Sequence, residues 1–253
     1  MTRGVYEWAN CSINFQSGCK AGCEYCYARL IADRTGWKKW DDWTNPVIRT
    51  KDVVKNYRKR NGRIMFPSSH NIDSGNIVSA ITILKKLTRA HNEVLVVLKP
   101  TASIIRQIIK SLGDYIRFVE FRFTITTFSD LIRGPLEPYA SSIPERMFAI
   151  KEARLHMSPN RVSVSIEPFL DHDPTKLIHY LIRNGIHDYN IWLGPMNHRN
   201  QLKQRSPVIR DFHTGLELAY GSDNLRKIHG KLNALGLRIN YKDGFLKQME
   251  AGN

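Results

Sequence analysis

The chain has 253 residues, 42% of them hydrophobic, with 38 Lys and Arg against 23 Asp and Glu for a formal charge of +15. The length and composition exclude a disordered segment, and 4 cysteines are too few for a disulfide-stapled miniprotein. No run of about 18 apolar residues occurs, so no transmembrane helix and no membrane partner are expected, and the cationic excess favours a polyanionic partner such as nucleic acid.

In chain order, Met1–Glu7 lacks the apolar core of a signal peptide, which sets the expectation of a cytoplasmic protein. Beyond it, β-rich runs alternate with amphipathic ones. Strands are expected at 5–13, 63–67, 94–99, 119–126, 162–166, 190–193 and 237–241. Helices are expected at 73–91, 101–112 (after Pro100), 143–156 (with Pro144 in its first turn), 174–184 and 222–235. Val94-Leu-Val-Val-Leu98 is apolar on both faces, as a buried parallel strand should be. Repeated βα units imply an α/β fold with a parallel sheet and right-handed crossovers. Six or seven strands suit a partial TIM-like (β/α)6 barrel, with its active site at the C-terminal ends of the strands. No linker interrupts the pattern, so residues 1–253 read as one domain.

Two basic stretches accompany this core. Residues 49–63 carry repeated Lys and Arg, mostly on an expected helix, and read as a solvated face or a phosphate track. His198-Arg-Asn-Gln-Leu-Lys-Gln-Arg205 opens a basic C-terminal extension after about residue 197. It falls on the active-site side, as a contact for an anionic substrate or as a mobile loop that orders on binding. Trp37-Lys-Lys-Trp-Asp-Asp-Trp43 mixes aromatic and cationic residues; packing of a loop on the barrel is favoured over stacking on bases.

The chemistry concentrates in one loop, residues 18–28: Gly18-Cys-Lys-Ala-Gly-Cys-Glu-Tyr-Cys-Tyr-Ala28. Thiolates from Cys19, Cys23 and Cys26, spaced C-x3-C-x2-C, reach three corners of one cubane, and soft thiolates are the ligands that iron–sulfur clusters need. That leaves the fourth iron of a [4Fe–4S] cluster without a local protein ligand. Gly18 and Gly22 allow the tight loop, and its N–H groups can stabilise anionic sulfur. The competing reading is structural zinc, which wants four ligands and would recruit Cys11, His70 or His91. No second C-x2-C accompanies the first, and Cys11 falls on an expected strand.

With an aromatic residue, Tyr25, before its last cysteine, this motif resembles the signature of the radical S-adenosylmethionine (SAM) superfamily. The resemblance implies that SAM chelates the open iron through its amino and carboxylate groups. It further implies that one electron, from a flavodoxin- or ferredoxin-like donor, cleaves SAM to a 5′-deoxyadenosyl radical that abstracts hydrogen from a substrate. Over residues 10–200 or so, the chain resembles the spore photoproduct lyase-like branch. The matching segments are Phe121-Arg-Phe-Thr-Ile-Thr-Thr127, Leu136-Glu-Pro-Tyr-Ala-Ser-Ser-Ile-Pro-Glu-Arg146, Val97-Leu-Lys-Pro100, Val162-Ser-Val-Ser-Ile-Glu-Pro168 and Ile191-Trp-Leu-Gly-Pro-Met-Asn197.

Carried over residue by residue, Lys99 is expected to pair with the SAM carboxylate, Thr124 to add a hydroxyl contact and Tyr27 to lie near the adenine. Ser68 and Ser69 occupy the strand end that meets the methionine amino group, although the superfamily's Gly-Gly-Glu triplet is absent there. Ser165 and Glu167 are expected near the ribose hydroxyls, and Thr126 and Arg146 complete the cofactor-binding set. Each has a plainer reading: Lys99 as a strand cap, Thr124 as packing, Arg146 paired with Glu145 or Glu152, Glu167 as a turn residue and His70 as a structural histidine. The branch's donor cysteine is missing from Phe66-Pro-Ser-Ser-His-Asn-Ile72, so thiol return of hydrogen is not expected. The resulting expectation is a radical SAM enzyme acting on a nucleic acid or nucleotide. The alternatives are a peptide or protein substrate, or a non-catalytic iron–sulfur protein that binds nucleic acid or senses redox state.

Overall fold

The computed structural model describes residues 4–251, so Met1–Arg3 of the expected signal-free start lie outside the described residues. The strands are β1 (Cys11–Ser12), β2 (Gln16–Ser17), β3 (Val47–Ile48), β4 (Ile64–Met65), β5 (Val94–Leu98), β6 (Val119–Thr124), β7 (Val162–Ile166), β8 (Ile191–Leu193) and β9 (Asn240–Tyr241). The helices are α1 (Tyr27–Arg34), α2 (Thr50–Val54), α3 (Ile77–Arg89), α4 (Ala102–Leu112), α5 (Asp130–Leu136), α6 (Ile143–His156), α7 (Thr175–Arg183), α8 (Arg199–Arg205), α9 (Pro207–Ala219), α10 (Ser222–Ala234) and α11 (Asp243–Glu250).

Seven strands form one sheet in the order β1-β4-β5-β6-β7-β8-β9, and every pairing in it is parallel. The expected partial barrel is thus realised with seven strands, each within a region read as strand. β2 and β3 make a separate antiparallel ribbon that flanks the cysteine loop. No helix among the described residues is long and apolar enough to cross a membrane.

The pleat divides the sheet into two faces. Val96, Leu98, Phe121, Phe123, Val164 and Ile166 point into a large apolar cluster with Ile83, Ile105, Ile150 and Ile178 of the surrounding helices. Burying each such side chain stabilises the fold by roughly 1.5–3 kcal/mol. The other face is largely polar on its central strands, with Glu120, Arg122 and Thr124 on β6 beside Ser163 and Ser165 on β7. Its apolar part is a small cluster of Met65, Leu95 and the N-terminal Trp8 and Ala9.

Three expectations are corrected. Residues 49–63 are helical only over Thr50–Val54. Beyond it the chain is held non-helical by Asn92, whose Oδ1 accepts from Arg60 N at 2.8 Å and whose Nδ2 donates to Arg58 O at 3.3 Å. The His198–Arg205 stretch is not a loop but the helix α8, followed directly by α9, with Leu202, Ile209 and Leu216 buried. Ser206 caps the second, accepting from Ile209 N at 3.1 Å, and Pro207 opens it. The expected strand at 5–13 contracts to β1, because residues 4–7 coil into a 3-10 turn.

Candidate metal and cofactor site

The cysteine loop sits beyond the C-terminal ends of the strands. Its tightness is set by Gly18, at φ +84°, where a Cβ would stand 2.5 Å from the Trp43 carbonyl oxygen. That carbonyl accepts from Cys19 N at 2.8 Å. Cys26 caps α1, its Sγ accepting from Arg29 N at 3.4 Å, while Asn71 N donates to Cys19 Sγ at 3.3 Å. Burial pushes the three thiols up to about 11, against the pull of Lys99, which draws each of them down. Among the described residues no group of His, Cys, Asp and Glu is placed to share one metal ion. Ligands of a cubane each take a different iron and need no such convergence. Three soft thiols with N–H groups aimed at two of the sulfurs are a suitable donor set for such a centre. Cys11 lies on β1, paired with Ile64.

The ends of β4 and β5 supply the adjoining wall. Asn14 clamps the serine turn: its Oδ1 accepts from Ser68 N at 2.8 Å and Ser69 N at 3.0 Å, and its Nδ2 donates to Ser68 Oγ at 2.9 Å. The Tyr27 hydroxyl donates to the Ser68 carbonyl, so these two expected site residues are brought together. His70, next in the turn, packs edge-on to Phe15 with ring centroids 4.6 Å apart. Burial, with Arg49 adding to it, pushes its imidazole down to about 3, so it is neutral. Lys99 follows β5. Its ammonium lies 5.4 Å from the Tyr25 ring centroid and makes no ion pair within 4 Å among the described residues.

Behind this wall is a buried carboxylate. Glu137 and Arg146 are both fully buried and form an ion pair. Tyr25 donates to Glu137 Oε1, and Thr126 Oγ1 donates to the same oxygen at 2.8 Å. Arg146 also donates to the Thr124 carbonyl at 3.1 Å and to Ser141 Oγ at 3.3 Å. Burial alone would raise the Glu137 carboxyl, but Arg146 and Lys99 hold it below the usual carboxylate range. The structure therefore places Arg146 and the Thr126 hydroxyl inside the wall, away from any open contact. It also gives Arg146 a different partner from the Glu145 or Glu152 considered from sequence. A capping box between Ser142 and Glu145 starts α6 at Ile143, three residues before Arg146, and fixes its approach.

The polar face of the sheet leads down from this mouth. Thr124 and Ser165 are register partners on β6 and β7. Glu167 follows β7; its Oε1 accepts from Asn197 Nδ2 at 3.0 Å and its Oε2 lies 3.9 Å from Lys242 Nζ. Burial lifts its carboxyl above the ordinary range, against the pull of Lys242. Deeper in, Arg122 is sandwiched between Trp8 and Trp192, 4.7 Å from each ring centroid, and pairs with Glu120 at 2.8 Å. Lys242 is itself 3.1 Å from Glu7. Sequence reading missed Asn14, Asn71, Arg122 and Lys242; Glu120 beside Arg122 is a near neighbour, but Ser68, Lys99, Trp8, Trp192 and Glu7, which place the four, are distant in the chain.

Helix α8 leans on the cysteine loop. Ser206 Oγ donates to Glu24 Oε2 at 2.6 Å, and Arg205 pairs with Asp33 of α1 at 3.0 Å. A cavity of about 580 Å³ on α8 and α9 is lined by Asn200, Lys203, Gln204, Arg210, His213 and Glu217. A second, of about 620 Å³ and lined by Cys11, Arg58, Lys59, Arg60 and Asn61, lies at the opposite end of the sheet. In the Trp37–Trp43 segment, Trp43 is fully buried and Trp40 lies under Arg29 at 3.9 Å, so two of the three tryptophans pack inward.

No family model matches the chain, and no curated protein does. Two solved structures of spore photoproduct lyase share its fold: one complexed with dinucleoside spore photoproduct, the other a cysteine-to-serine mutant. Each aligns with a TM-score of 0.51 at 17% identity over 78% of this chain, which spans 60% of the lyase's length.

Proposed function

We propose that this protein is a radical SAM enzyme in which Cys19, Cys23 and Cys26 hold a [4Fe–4S] cluster and the ends of β4 to β7 receive SAM. The observation that carries the reading is the juxtaposition, at one mouth of a parallel sheet, of a three-thiol loop and a lysine, Lys99, that makes no ion pair among the described residues. When bound, the reduced cluster and SAM supply a strongly oxidising carbon radical by one-electron cleavage.

The chain's own residues do the positioning. Lys99 offers an ammonium to a carboxylate. Ser68 and Ser69 offer hydroxyls on a turn held by Asn14, and Thr124, Ser165 and Glu167 offer polar contacts along the inner face. Tyr27 offers a ring beside Ser68. Tyr25, Thr126, Glu137 and Arg146 hold the loop against the strand ends and keep water out of the wall behind it. The electron donor in this reading is a flavodoxin- or ferredoxin-like protein.

A nucleic acid or nucleotide is the substrate class the reading favours. It is supported by the charge of +15, by the basic cavity on α8 and α9, latched to the cysteine loop, and by the dinucleoside ligand of the lyase that shares the fold. Because no cysteine stands in the turn after β4, a substrate radical would have to regain hydrogen from another source. The reading is tested by electron paramagnetic resonance of the anaerobically reconstituted, reduced protein. Adding SAM is expected to alter the cluster signal, and Lys99→Ala to weaken that response. A cluster signal indifferent to SAM would overturn the reading.

A further inference from the structure

The strand ladder ends unevenly at this mouth. β4 stops at Met65, whereas β5 runs on to Leu98, so Lys99 has no β4 neighbour. Its backbone polar groups are instead met by side chains: Asn71 takes both, and Ser141 Oγ also donates to Lys99 O at 3.0 Å. Asn71 Oδ1 accepts from Lys99 N at 2.8 Å, and Asn71 Nδ2 donates to Lys99 O at 3.1 Å. The primary amide thus stands in for a missing peptide group, offering one acceptor and one donor in a plane. Pro100 follows, with no N–H to extend the ladder.

The same residue faces the cysteine loop. Asn71 N donates to Cys19 Sγ at 3.3 Å, and Asn71 O accepts from Asn76 Nδ2 at 2.9 Å. Asn76 Nδ2 also donates to Gln16 Oε1 at 3.0 Å, and Gln16 Nε2 donates to Gly18 O at 3.0 Å. Asn76 and Gln16 are each 2% exposed, so this chain of amides is shielded from competing water. It closes a circuit from the residue before Cys19 back to Cys19 through Asn71.

We propose that Asn71 is a positioning residue that fixes Lys99 relative to Cys19, so that the ammonium and the thiolates present themselves to one SAM molecule at a set separation. The proposal rests on the radical SAM reading and goes beyond it, since Asn71 acts through Cys19 and Lys99 rather than on SAM. Its backbone N–H stabilises negative charge on Cys19 sulfur. Its side chain holds the one backbone position from which the lysine projects. An unheld Lys99 keeps its charge but loses its register.

The test is a SAM titration of the reconstituted, reduced holoprotein, with Kd read from the change in the cluster's paramagnetic resonance signal. Asn71→Ala and Asn71→Asp are both used; the second keeps the acceptor to Lys99 N and removes the donor to Lys99 O. Each is expected to weaken SAM binding roughly 10–100-fold with iron and sulfide content unchanged, the range typical of lost outer-shell partners. In a double-mutant cycle, Asn71→Ala with Lys99→Ala is expected to bind SAM no more weakly than Lys99→Ala alone, because Asn71 acts through Lys99. Unchanged affinity in the Asn71 variants, or losses that multiply in the double mutant, would overturn the proposal. A measurement on the unsubstituted protein guards against misfolded variants: the Lys99 amide is expected to resist hydrogen exchange, and a freely exchanging amide would overturn the grip. A wild type that carries its cluster and ignores SAM fails the enzyme reading, whereas a responsive wild type with indifferent variants fails this inference alone.

Discussion

Tyr25 and Glu137 are 112 residues apart in sequence and share a buried hydrogen bond, the phenol donating to the carboxylate. The bond ties the cysteine loop, at a residue between two of its thiols, to the segment joining α5 to α6. Arg146 and Thr126 hold the same carboxylate from the other side. The loop is therefore fastened to the sheet through one buried charge and its partners.

Removing that charge should be costly. Glu137→Ala leaves the Arg146 guanidinium buried and unpaired, which is expected to destabilise the protein by about 3–5 kcal/mol. Tyr25→Phe removes one hydrogen bond to a charged group and is expected to cost about 1.5–3 kcal/mol. Denaturant unfolding of the metal-free protein measures both, and a Glu137→Ala variant as stable as wild type would refute the fastening.

The same pair predicts an acid limb. The Glu137 carboxyl is held below its ordinary value of 4.5 in the folded state. Its contribution to stability is therefore fully present above that value and is lost as pH falls through the lower, folded-state value. Glu137→Gln removes this titration. Its stability is expected to change less than that of wild type over the acid range, as unfolding midpoints at successive pH values would read.

Much of this site was visible in the sequence, and the reason is locality. The thiol spacing lies within eight residues, and period-two alternation puts Thr124 and Ser165 on one sheet face with Arg122 and Ser163. Pro144 marked the start of α6. The grip of Asn71 on Lys99 was not legible, because an asparagine in a turn signals only a turn until its partner 28 residues away is known. The helical reading of residues 55–63 failed for want of a buried stripe: Tyr57 is the one apolar side chain there, and Gly62 takes φ +72°. Conversely, Leu202, Ile209 and Leu216 recur at a helix-compatible spacing that the polar residues around them disguised.

The floor of the polar face depends on Arg122. Lysine in its place would keep the charge but lose the planar group that stacks between Trp8 and Trp192 and reaches Glu120 and Ser163 together. Arg122→Ala is expected to destabilise the protein by about 3–5 kcal/mol, with Arg122→Lys recovering only part of the loss. Thermal unfolding of the two variants decides this, and full recovery by lysine would mean that charge alone suffices.

The two basic cavities make separable predictions about polyanion binding. If the one on α8 and α9 serves the substrate, Lys203→Ala and Arg210→Ala will each weaken binding of a single-stranded oligonucleotide and lower the salt slope by about 1. Arg58→Ala and Arg60→Ala, at the far end of the sheet, will leave both unchanged. Fluorescence anisotropy titrations at several salt concentrations provide the comparison.

The central claim is that three thiols and Lys99 form a site for SAM cleavage. The most direct measurement is chromatographic detection of 5′-deoxyadenosine after anaerobic reconstitution, reduction and addition of SAM, with Cys23→Ala alongside. The account predicts product from the wild type and none from the variant, which also fails to retain its cluster. A wild type with an intact cluster that forms no 5′-deoxyadenosine, or a Cys23→Ala variant that still does, would contradict it.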